Sequence, residues 1–115
     1  MSQNRVFSMI GLAQKAQKVA SGEFSTEKAV KEGRAELVIV SLEASDNTKK
    51  KFRNMCAYYK VPLYFYGTKA ELGWAIGREF RASLAVTDMG LAKAVQKQLP
   101  KENDGGRQYG ENQDT

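Results

Sequence analysis

The stretch that decides the fold class is Glu23-Phe-Ser-Thr-Glu-Lys-Ala-Val-Lys-Glu-Gly-Arg-Ala-Glu-Leu-Val-Ile-Val-Ser-Leu42. Its first half predicts a helix over residues 23–32, because its apolar residues share one helical face and Gly33 lies where a helix-ending glycine is expected. Its second half, residues 37–42, is continuously apolar and rich in β-branched side chains, which is typical of a strand buried on both faces. A sheet that contains such a strand is covered by helices on each face.

Outward from this stretch, helical and strand patterns alternate along the chain. N-terminal to it, the pattern predicts a helix over residues 4–15 and a short edge strand over residues 18–21. C-terminal to it, the predicted elements are a helix capped near Ser45, a strand over residues 61–66, a helix from Thr68, a strand over residues 84–86 and a last helix from Asp88 that Pro100 stops. The order α-β-α-β-α-β-α-β-α predicts an α/β fold with a sheet layered between helices.

The charge of the chain is unevenly distributed. Eighteen Lys and Arg residues against thirteen Asp and Glu residues give a net charge of +5. Residues 100–115 hold two basic and four acidic residues, so they carry −2 and the preceding body carries +7. We expect the body to attract polyanions such as nucleic acids; the alternative is a charged surface that only aids solubility. Because residues 100–115 contain almost no apolar side chains, they are predicted to be a disordered polar tail after one domain over residues 1–99.

The residue types that are missing exclude several classes of function. The chain has no histidine and a single cysteine, Cys56, so it cannot form a typical zinc site, an internal disulfide or a Ser-His-Asp triad. It contains neither a G-x-G-x-x-G fingerprint nor a P-loop. We therefore expect a protein that is not an enzyme and uses no cofactor, metal or small-molecule substrate. With no membrane-length apolar run and no signal-peptide pattern, it is expected in the cytoplasm and not at a membrane.

A basic run, Lys49-Lys-Lys51 followed by Arg53, opens the third predicted helix. Cations near a helix N-terminus oppose the helix dipole by about 0.3 kcal/mol or more each. Two interpretations stay open. The run is either a solvated face opposite the apolar stripe of Phe52, Met55, Cys56 and Tyr59, or its charge is used elsewhere.

Two glycines mark places where the backbone itself matters. Gly73 lies in the fourth predicted helix and is interpreted as allowing a neighbouring backbone to approach closely. Gly22 immediately precedes the second predicted helix, and exposed amides at a helix N-terminus bind anions such as phosphate. Since Lys28 and Lys31 add positive charge along this helix, its start is a candidate phosphate site.

Several motifs, taken in their order and spacing, resemble the L7Ae superfamily of ribosomal proteins. They are Gly22, Lys28-Ala29, Gly33, Ala35-Glu-Leu-Val-Ile-Val40, Asn47-Thr48, Cys56, Tyr59-Lys-Val-Pro62, Leu72-Gly73, Ile76-Gly77 and Ala85-Val-Thr-Asp88. Together they span most of residues 5–99. The combination is similar to the bacterial YlxQ-type branch of the superfamily.

The resemblance implies a fold and a binding site. The superfamily fold is a three-layer α/β/α sandwich with a mixed four-stranded sheet and five helices. Members bind kink-turn RNA by docking the start of the second helix at sheared G·A pairs, while a loop before the last strand, here residues 79–83, holds an extruded nucleotide. The RNA-binding residues expected in this chain are Gly22, Glu23, Phe24, Ser25, Lys28, Lys31, Arg34, Phe80, Arg81 and Ala82.

The chain departs from the superfamily near the start of the second helix. The archaeal-type signature has Asn-Glu where this chain has Phe24 and Ser25, and the YlxQ-type branch departs here too. Phe24 either folds back onto the core or stacks on a base. Arg81 either stacks on the extruded base, holds a phosphate or is a solvated loop residue.

The expected function is non-enzymatic binding of structured, kink-turn-like RNA, with ribosomal RNA or the ribosome as the expected partner. The residues expected to contact phosphates are Lys28, Lys31, Arg34 and Arg81. The backbone amides of Gly22 and Glu23 are expected to position the helix on the RNA. The alternative is a protein-interaction adaptor of the translation or transcription machinery, which the departure from Asn-Glu favours. An RNA-modifying enzyme is disfavoured, because the sequence contains no cofactor loop or evident nucleophile.

Overall fold

The computed structural model describes residues 2–100, with side chains from residue 5 onward, and this range contains five helices and four strands. They are α1 (Ser2–Lys15), β1 (Val19–Ser21), α2 (Glu23–Lys31), β2 (Leu37–Val40), α3 (Asp46–Tyr59), β3 (Leu63–Phe65), α4 (Lys69–Ala75), β4 (Ser83–Val86) and α5 (Met89–Gln98). The predicted order of elements is confirmed. The predicted tail lies, apart from Pro100, outside the described residues. None of these helices is long and apolar enough to cross a membrane.

The four strands form one mixed sheet in the order β1-β4-β2-β3. Strands β1 and β2 both run antiparallel to β4, whereas β2 and β3 are parallel. Strands β1, β2 and β3 therefore all end at the edge of the sheet where β4 begins. We call this edge, which is formed by residues 21–25, 41–45, 66–69 and 79–83, the carboxyl edge. Because a helix follows each of these three strands, α2, α3 and α4 all begin there.

Helices cover both faces of the sheet because the strands are apolar on both sides. In β2, Leu37 and Ile39 belong to the core shared with α1, α4 and α5, whereas Val38 and Val40 belong to the core shared with α2 and α3. Phe52 of α3 is the largest fully buried side chain of the second core. This arrangement confirms the expected α/β/α sandwich and places α2 and α3 together on one face.

Polar side chains cap three helices where the sequence predicts caps. Ser45 caps α3, Asp88 caps α5, and Thr68 and Glu71 form the predicted capping box at the start of α4. Each cap gives an acceptor to an amide that the helix leaves without a partner. The starts of these helices are therefore fixed by local sequence.

Three sequence expectations are wrong in detail, and the first is the strand predicted over residues 61–66, which spans only Leu63–Phe65. The strand predicted over residues 37–42 ends at Val40, because Leu42 is exposed and its amide donates to the Gly67 carbonyl at 2.9 Å. Tyr59 has the spacing of the apolar stripe of α3 but is exposed. It is the last residue of the helix, since Lys60 turns the chain into the left-handed region, and its ring packs edge-on against Tyr58 instead of reaching the core.

Candidate nucleic-acid interface

The start of α2 has no side-chain cap, in contrast to the starts of α3, α4 and α5. Its N-cap residue is Gly22, whose φ of 92° lies in the left-handed region that favours glycine. A Cβ atom built at Gly22 would meet no atom within 4 Å. Within residues 2–100, the amides of Glu23, Phe24 and Ser25 have no hydrogen-bond acceptor. The helix thus presents free N–H donors to open space, an arrangement that suits an anion.

The amide of Gly22 itself is already used. It donates to the Ser83 carbonyl at 2.9 Å and so extends the pairing of β1 with β4. The expectation that the Gly22 amide helps to bind RNA is therefore wrong, because this donor is taken by the sheet. Next to it, the Ser83 hydroxyl donates to the hydroxyl of the fully buried Thr26 at 3.3 Å. Gly22 contributes its backbone conformation, and Ser83 fixes the position of the helix start.

Residues 79–82 lie beside the start of α2 at the carboxyl edge. Arg81 Nε donates to Ser21 Oγ at 3.1 Å, and Arg81 Nη1 donates to the Phe80 carbonyl at 2.8 Å. The Arg81 amide donates to the Lys69 carbonyl at 3.0 Å, which joins the loop to α4. Arg81 is half-buried, and these contacts hold its guanidinium against the loop and the end of β1. The guanidinium retains further N–H donors with which to bind a phosphate.

Gly73 of α4 allows this loop to pack closely against the helix. A Cβ atom at Gly73 would lie 2.6 Å from the Glu79 carbonyl oxygen and 2.8 Å from the Phe80 nitrogen. Atoms cannot approach so closely without a shift of the backbone. The interpretation of Gly73 as a position of close backbone approach is confirmed, and its consequence is the placement of residues 79–80.

Two aromatic rings project from the carboxyl edge. Phe24 is 77% exposed and Phe80 is 60% exposed. The interpretation of Phe24 as a core residue is wrong, because it lies roughly 200° around α2 from the buried Thr26. Exposed rings of this kind can stack on unpaired bases. Of the remaining expected residues, Ser25 is exposed and Ala82 packs partly against the core.

The basic residues of α2 differ in position and in pairing. Lys28 is exposed and forms no ion pair with the side chains of residues 5–100. Lys31 pairs with Glu27 at 2.8 Å, and Arg34 pairs with Glu32 at 2.8 Å. Since a helix rises about 1.5 Å per residue, Lys31 lies about 12 Å along α2 from Glu23 and Arg34 lies farther still. Lys28 is also in the last turn of α2, about 7.5 Å along the axis from Glu23, so it lies nearest to the helix start of the three basic residues and Arg34 lies farthest from it.

An ion-pair network that the sequence patterns do not indicate joins α2 to α3. Lys51 Nζ lies 3.0 Å from Glu23 Oε2 and 2.7 Å from Glu27 Oε1. Hydrogen bonds from Lys31 and from Lys51 lower the pKa of Glu27, and the same contact with Glu27, followed by that with Glu23, raises the pKa of Lys51. No local signal identifies the link from Lys51 to α2, because Lys51 lies 28 residues from Glu23 in the sequence.

A shallow groove of about 380 Å³ runs along the outer side of α2. It is lined by Phe24, Glu27, Lys28, Lys31 and Glu32. These residues recur at helical spacing, so the groove follows the helix away from the carboxyl edge. Phe24 stands at its beginning, next to the free amides, and the basic side chains follow along its length.

The described residues offer little reactive chemistry. Burial raises the pKa of the Cys56 thiol to about 12, so the thiol stays protonated at neutral pH. Among the described residues, no three His, Cys, Asp or Glu side chains are grouped so as to hold a metal ion. The carboxyl edge provides amide donors, a guanidinium and two aromatic rings, and α2 adds the unpaired Lys28; these are groups that suit binding.

Comparisons with known proteins agree with this geometry. The model of the ribosomal protein L7Ae/L30e/S12e/Gadd45 family matches residues 4–96. The chain is 46% identical over 95 residues to the RNA-binding protein YlxQ of Bacillus subtilis, covering 83% of this chain and 95% of that protein. It is 33% identical over 96 residues to YlxQ of Enterococcus faecium, covering 84% and 92%. A solved structure from Bacillus halodurans, described as a protein with unknown function, superposes with a TM-score of 0.79 at 35% identity, covering 82% of this chain and 95% of that one.

Proposed function

Because the chain belongs to the ribosomal protein L7Ae/L30e/S12e/Gadd45 family and is a YlxQ-type member of it, we propose that it binds structured RNA at the carboxyl edge of its sheet. The proposal rests on the close arrangement of phosphate-binding and base-stacking groups at this edge. The free amides at the start of α2 lie beside the loop that holds Arg81, and the exposed rings of Phe24 and Phe80 project from the same edge. Amides and a guanidinium suit phosphates, and exposed rings suit bases. The relatives are named RNA-binding proteins, which supports the assignment.

A kinked RNA suits this surface better than a regular duplex. The major groove of an A-form helix is too deep and narrow for side chains to read, and stacked bases offer no face to an aromatic ring. A kink-turn provides both a widened groove for the start of α2 and an extruded nucleotide for residues 79–82. Phe24 has no polar side-chain atom with which to make the directed hydrogen bonds of Asn, and Ser25 offers one short hydroxyl in place of the Glu carboxylate. Recognition therefore rests on the shape of the RNA, on stacking and on phosphate contacts.

Ribosomal RNA is the source that we propose for this kinked element. The family to which the chain belongs is one of ribosomal proteins, and kinked elements in a folded RNA present phosphates to a basic surface. The body of the chain carries +7, which favours association with such a polyanion.

The salt dependence of binding reports how many basic side chains contact phosphates. Each contact adds about −0.7 to −0.9 to the slope of log K against log salt. Contacts from Lys28, Lys31, Arg34 and Arg81 together give a slope of about −3. Contacts from Lys28 and Arg81 alone give about −1.6, which is the value that the positions and ion pairs of Lys31 and Arg34 favour.

The experiment that tests the proposal compares two labelled hairpins by fluorescence anisotropy. One carries a kink-turn, and in the other Watson–Crick pairs replace the sheared G·A pairs. We expect the protein to prefer the kink-turn, and Lys28→Glu to weaken binding at least tenfold. The matched control is Lys93→Glu, the same charge change on an exposed residue of α5, on the opposite face of the sheet. Absence of binding to both hairpins, or an equal loss in the two variants, contradicts the proposal.

A protein-interaction adaptor is the second candidate, and the exposure of Phe24 and Phe80 favours it. Exposed apolar residues that lie on one edge are also found where proteins meet. RNA binding and co-purification experiments distinguish the adaptor function from the RNA-binding function. The adaptor function requires that the protein bind neither hairpin and that it co-purify with one protein partner in a manner that depends on Phe24.

A further inference from the structure

We propose that the outward face of α3, formed by Lys50, Arg53 and Tyr58, is a second RNA-contact surface. It extends the carboxyl-edge site along the RNA that leaves the kink, and so it rests on the function proposed above. Three features of this face support the proposal. It carries cations that lack acidic partners, it has an exposed aromatic ring, and it lies on a helix that packs next to the start of α2.

The cations of this face are not neutralised within the described part of the chain. Lys51 is paired with Glu23 and Glu27, but Lys50 and Arg53 form no ion pair with the side chains of residues 5–100. Asp46 is the acidic residue of the first turn, so the beginning of the helix carries excess positive charge. This charge opposes the helix dipole. A polyanion that lies along the face would supply the missing counter-charge.

The same face carries groups that suit a base as well as a phosphate. Tyr58 is 78% exposed and packs edge-on against Tyr59, with ring centroids 4.9 Å apart. The Arg53 guanidinium lies over the Phe65 ring, 5.1 Å from its centroid, which restricts its position. The cations alone would be sufficient to bind an acidic protein. An exposed ring about 12 Å along the helix from Lys50 adds a surface on which a base can stack, so RNA fits the whole face.

The face is also continuous with the proposed site. Lys51 joins the start of α2 to α3, and both helices lie on one face of the sheet and begin at the carboxyl edge. The 14 residues of α3 span about 21 Å. An RNA stem that leaves the kink on this side therefore has a basic surface along which to run.

The experiment uses two kink-turn hairpins, one with long flanking stems and one cut back to the kink. In Lys50→Gln/Arg53→Gln, both cations of the outward face lose their charge. We expect this variant to bind the long hairpin about tenfold more weakly, with a salt slope reduced in magnitude by about 1.6. Binding of the short hairpin is expected to change less than twofold. Tyr58→Ala is expected to weaken the long hairpin several-fold with no change of slope.

The matched control is Lys93→Gln/Lys97→Gln on α5, which removes the same charge from exposed residues on the opposite face of the sheet. Equal affinities of the two double variants for the long hairpin would overturn the inference and leave the proposed function standing, because the wild type and its Lys28→Glu variant test that function separately. A wild type that binds neither hairpin would overturn both. A protein partner that depends on Lys50 and Arg53, with RNA binding unchanged, would assign the face to protein and also overturn the inference.

Discussion

Arg81 and Ser21 are joined by a hydrogen bond of 3.1 Å from Nε to Oγ, although 60 residues separate them in sequence. The bond connects the end of β1 to the loop before β4. Together with the hydrogen bond from the Gly22 amide to the Ser83 carbonyl, it holds the start of α2 beside residues 79–82 in the free protein. Preorganisation of this kind lowers the entropic cost of binding.

Removal of the Ser21 hydroxyl tests this connection without altering any charge. We expect Ser21→Ala to lower RNA affinity about fivefold, which corresponds to roughly 1 kcal/mol for one hydrogen bond, and to leave the salt slope unchanged. Arg81→Ala removes a phosphate contact as well, so it should lower the affinity further and reduce the magnitude of the slope by about 0.8. Anisotropy titrations at several salt concentrations measure both quantities. An unchanged affinity in Ser21→Ala, with the expected loss in Arg81→Ala, would show that Ser21 does not act by positioning Arg81.

Phe24→Ala tests whether the exposed ring stacks on a base. We expect RNA affinity to fall by about 1–3 kcal/mol, whereas Tm stays the same because the ring contributes little to the core. Leu12→Ala is the matched control, since Leu12 is an exposed apolar residue on α1, on the other face of the sheet. An equal effect of the two substitutions on affinity would exclude stacking by Phe24.

Substitution of Gly73 separates helix propensity from close packing. Alanine is the better helix former by about 1 kcal/mol, but its Cβ at Gly73 would collide with the Glu79 carbonyl. We expect Gly73→Ala to lower the free energy of unfolding by about 1–3 kcal/mol and to weaken RNA binding through displacement of residues 79–80. At Gly90 of α5 the new Cβ would make only an ordinary contact, so Gly90→Ala should be neutral or stabilising in the same urea titration. Equal stability of the two variants would contradict the role assigned to Gly73.

The ion pairs of Glu27 predict a pH dependence of stability. The folded-state pKa of Glu27 lies below its ordinary value of 4.5, because Lys31 and Lys51 donate to the carboxylate. Its stabilising contribution is therefore complete above the unfolded-state pKa and is lost as the pH falls through the lower folded-state pKa. We expect Lys51→Met to raise the Glu27 pKa and to lower stability at pH 7 by about 0.5 kcal/mol, with a smaller difference at pH 3. An NMR titration in which the Glu27 pKa is not lowered in the wild type would contradict this network.

The fold follows from local patterns because its physical causes are local. Continuous apolarity places β2 between two layers of helices, and the hydroxyl of Thr68 together with Glu71 defines the start of α4. One error, the end of β2, occurs where a contact with a segment distant in sequence determines the boundary of the element. The Gly67 carbonyl takes the amide of Leu42 and ends β2 early, which no periodicity within residues 37–42 could indicate.

The candidate site is less accessible to sequence reasoning because its parts meet only in the folded chain. Gly22 and the helix after it are visible as a local motif, yet the use of its amide depends on Ser83. Helical spacing also permits two positions for the ring of Phe24, and only the direction of the buried face of α2 decides between them. The link from Lys51 to Glu23 joins two helices that carry no mutual signal.

The most direct test of RNA binding at the carboxyl edge is an amide NMR titration of the protein with the kink-turn hairpin. The amides of Glu23, Phe24 and Ser25 have no acceptor among residues 2–100, so they should shift strongly and exchange more slowly with water when a phosphate binds them. Shifts are expected at residues 22–28 and 79–82 and to be absent from α1 and α5. Shifts centred on α1 and α5, or unchanged amides at residues 23–25 with RNA bound, would contradict the site.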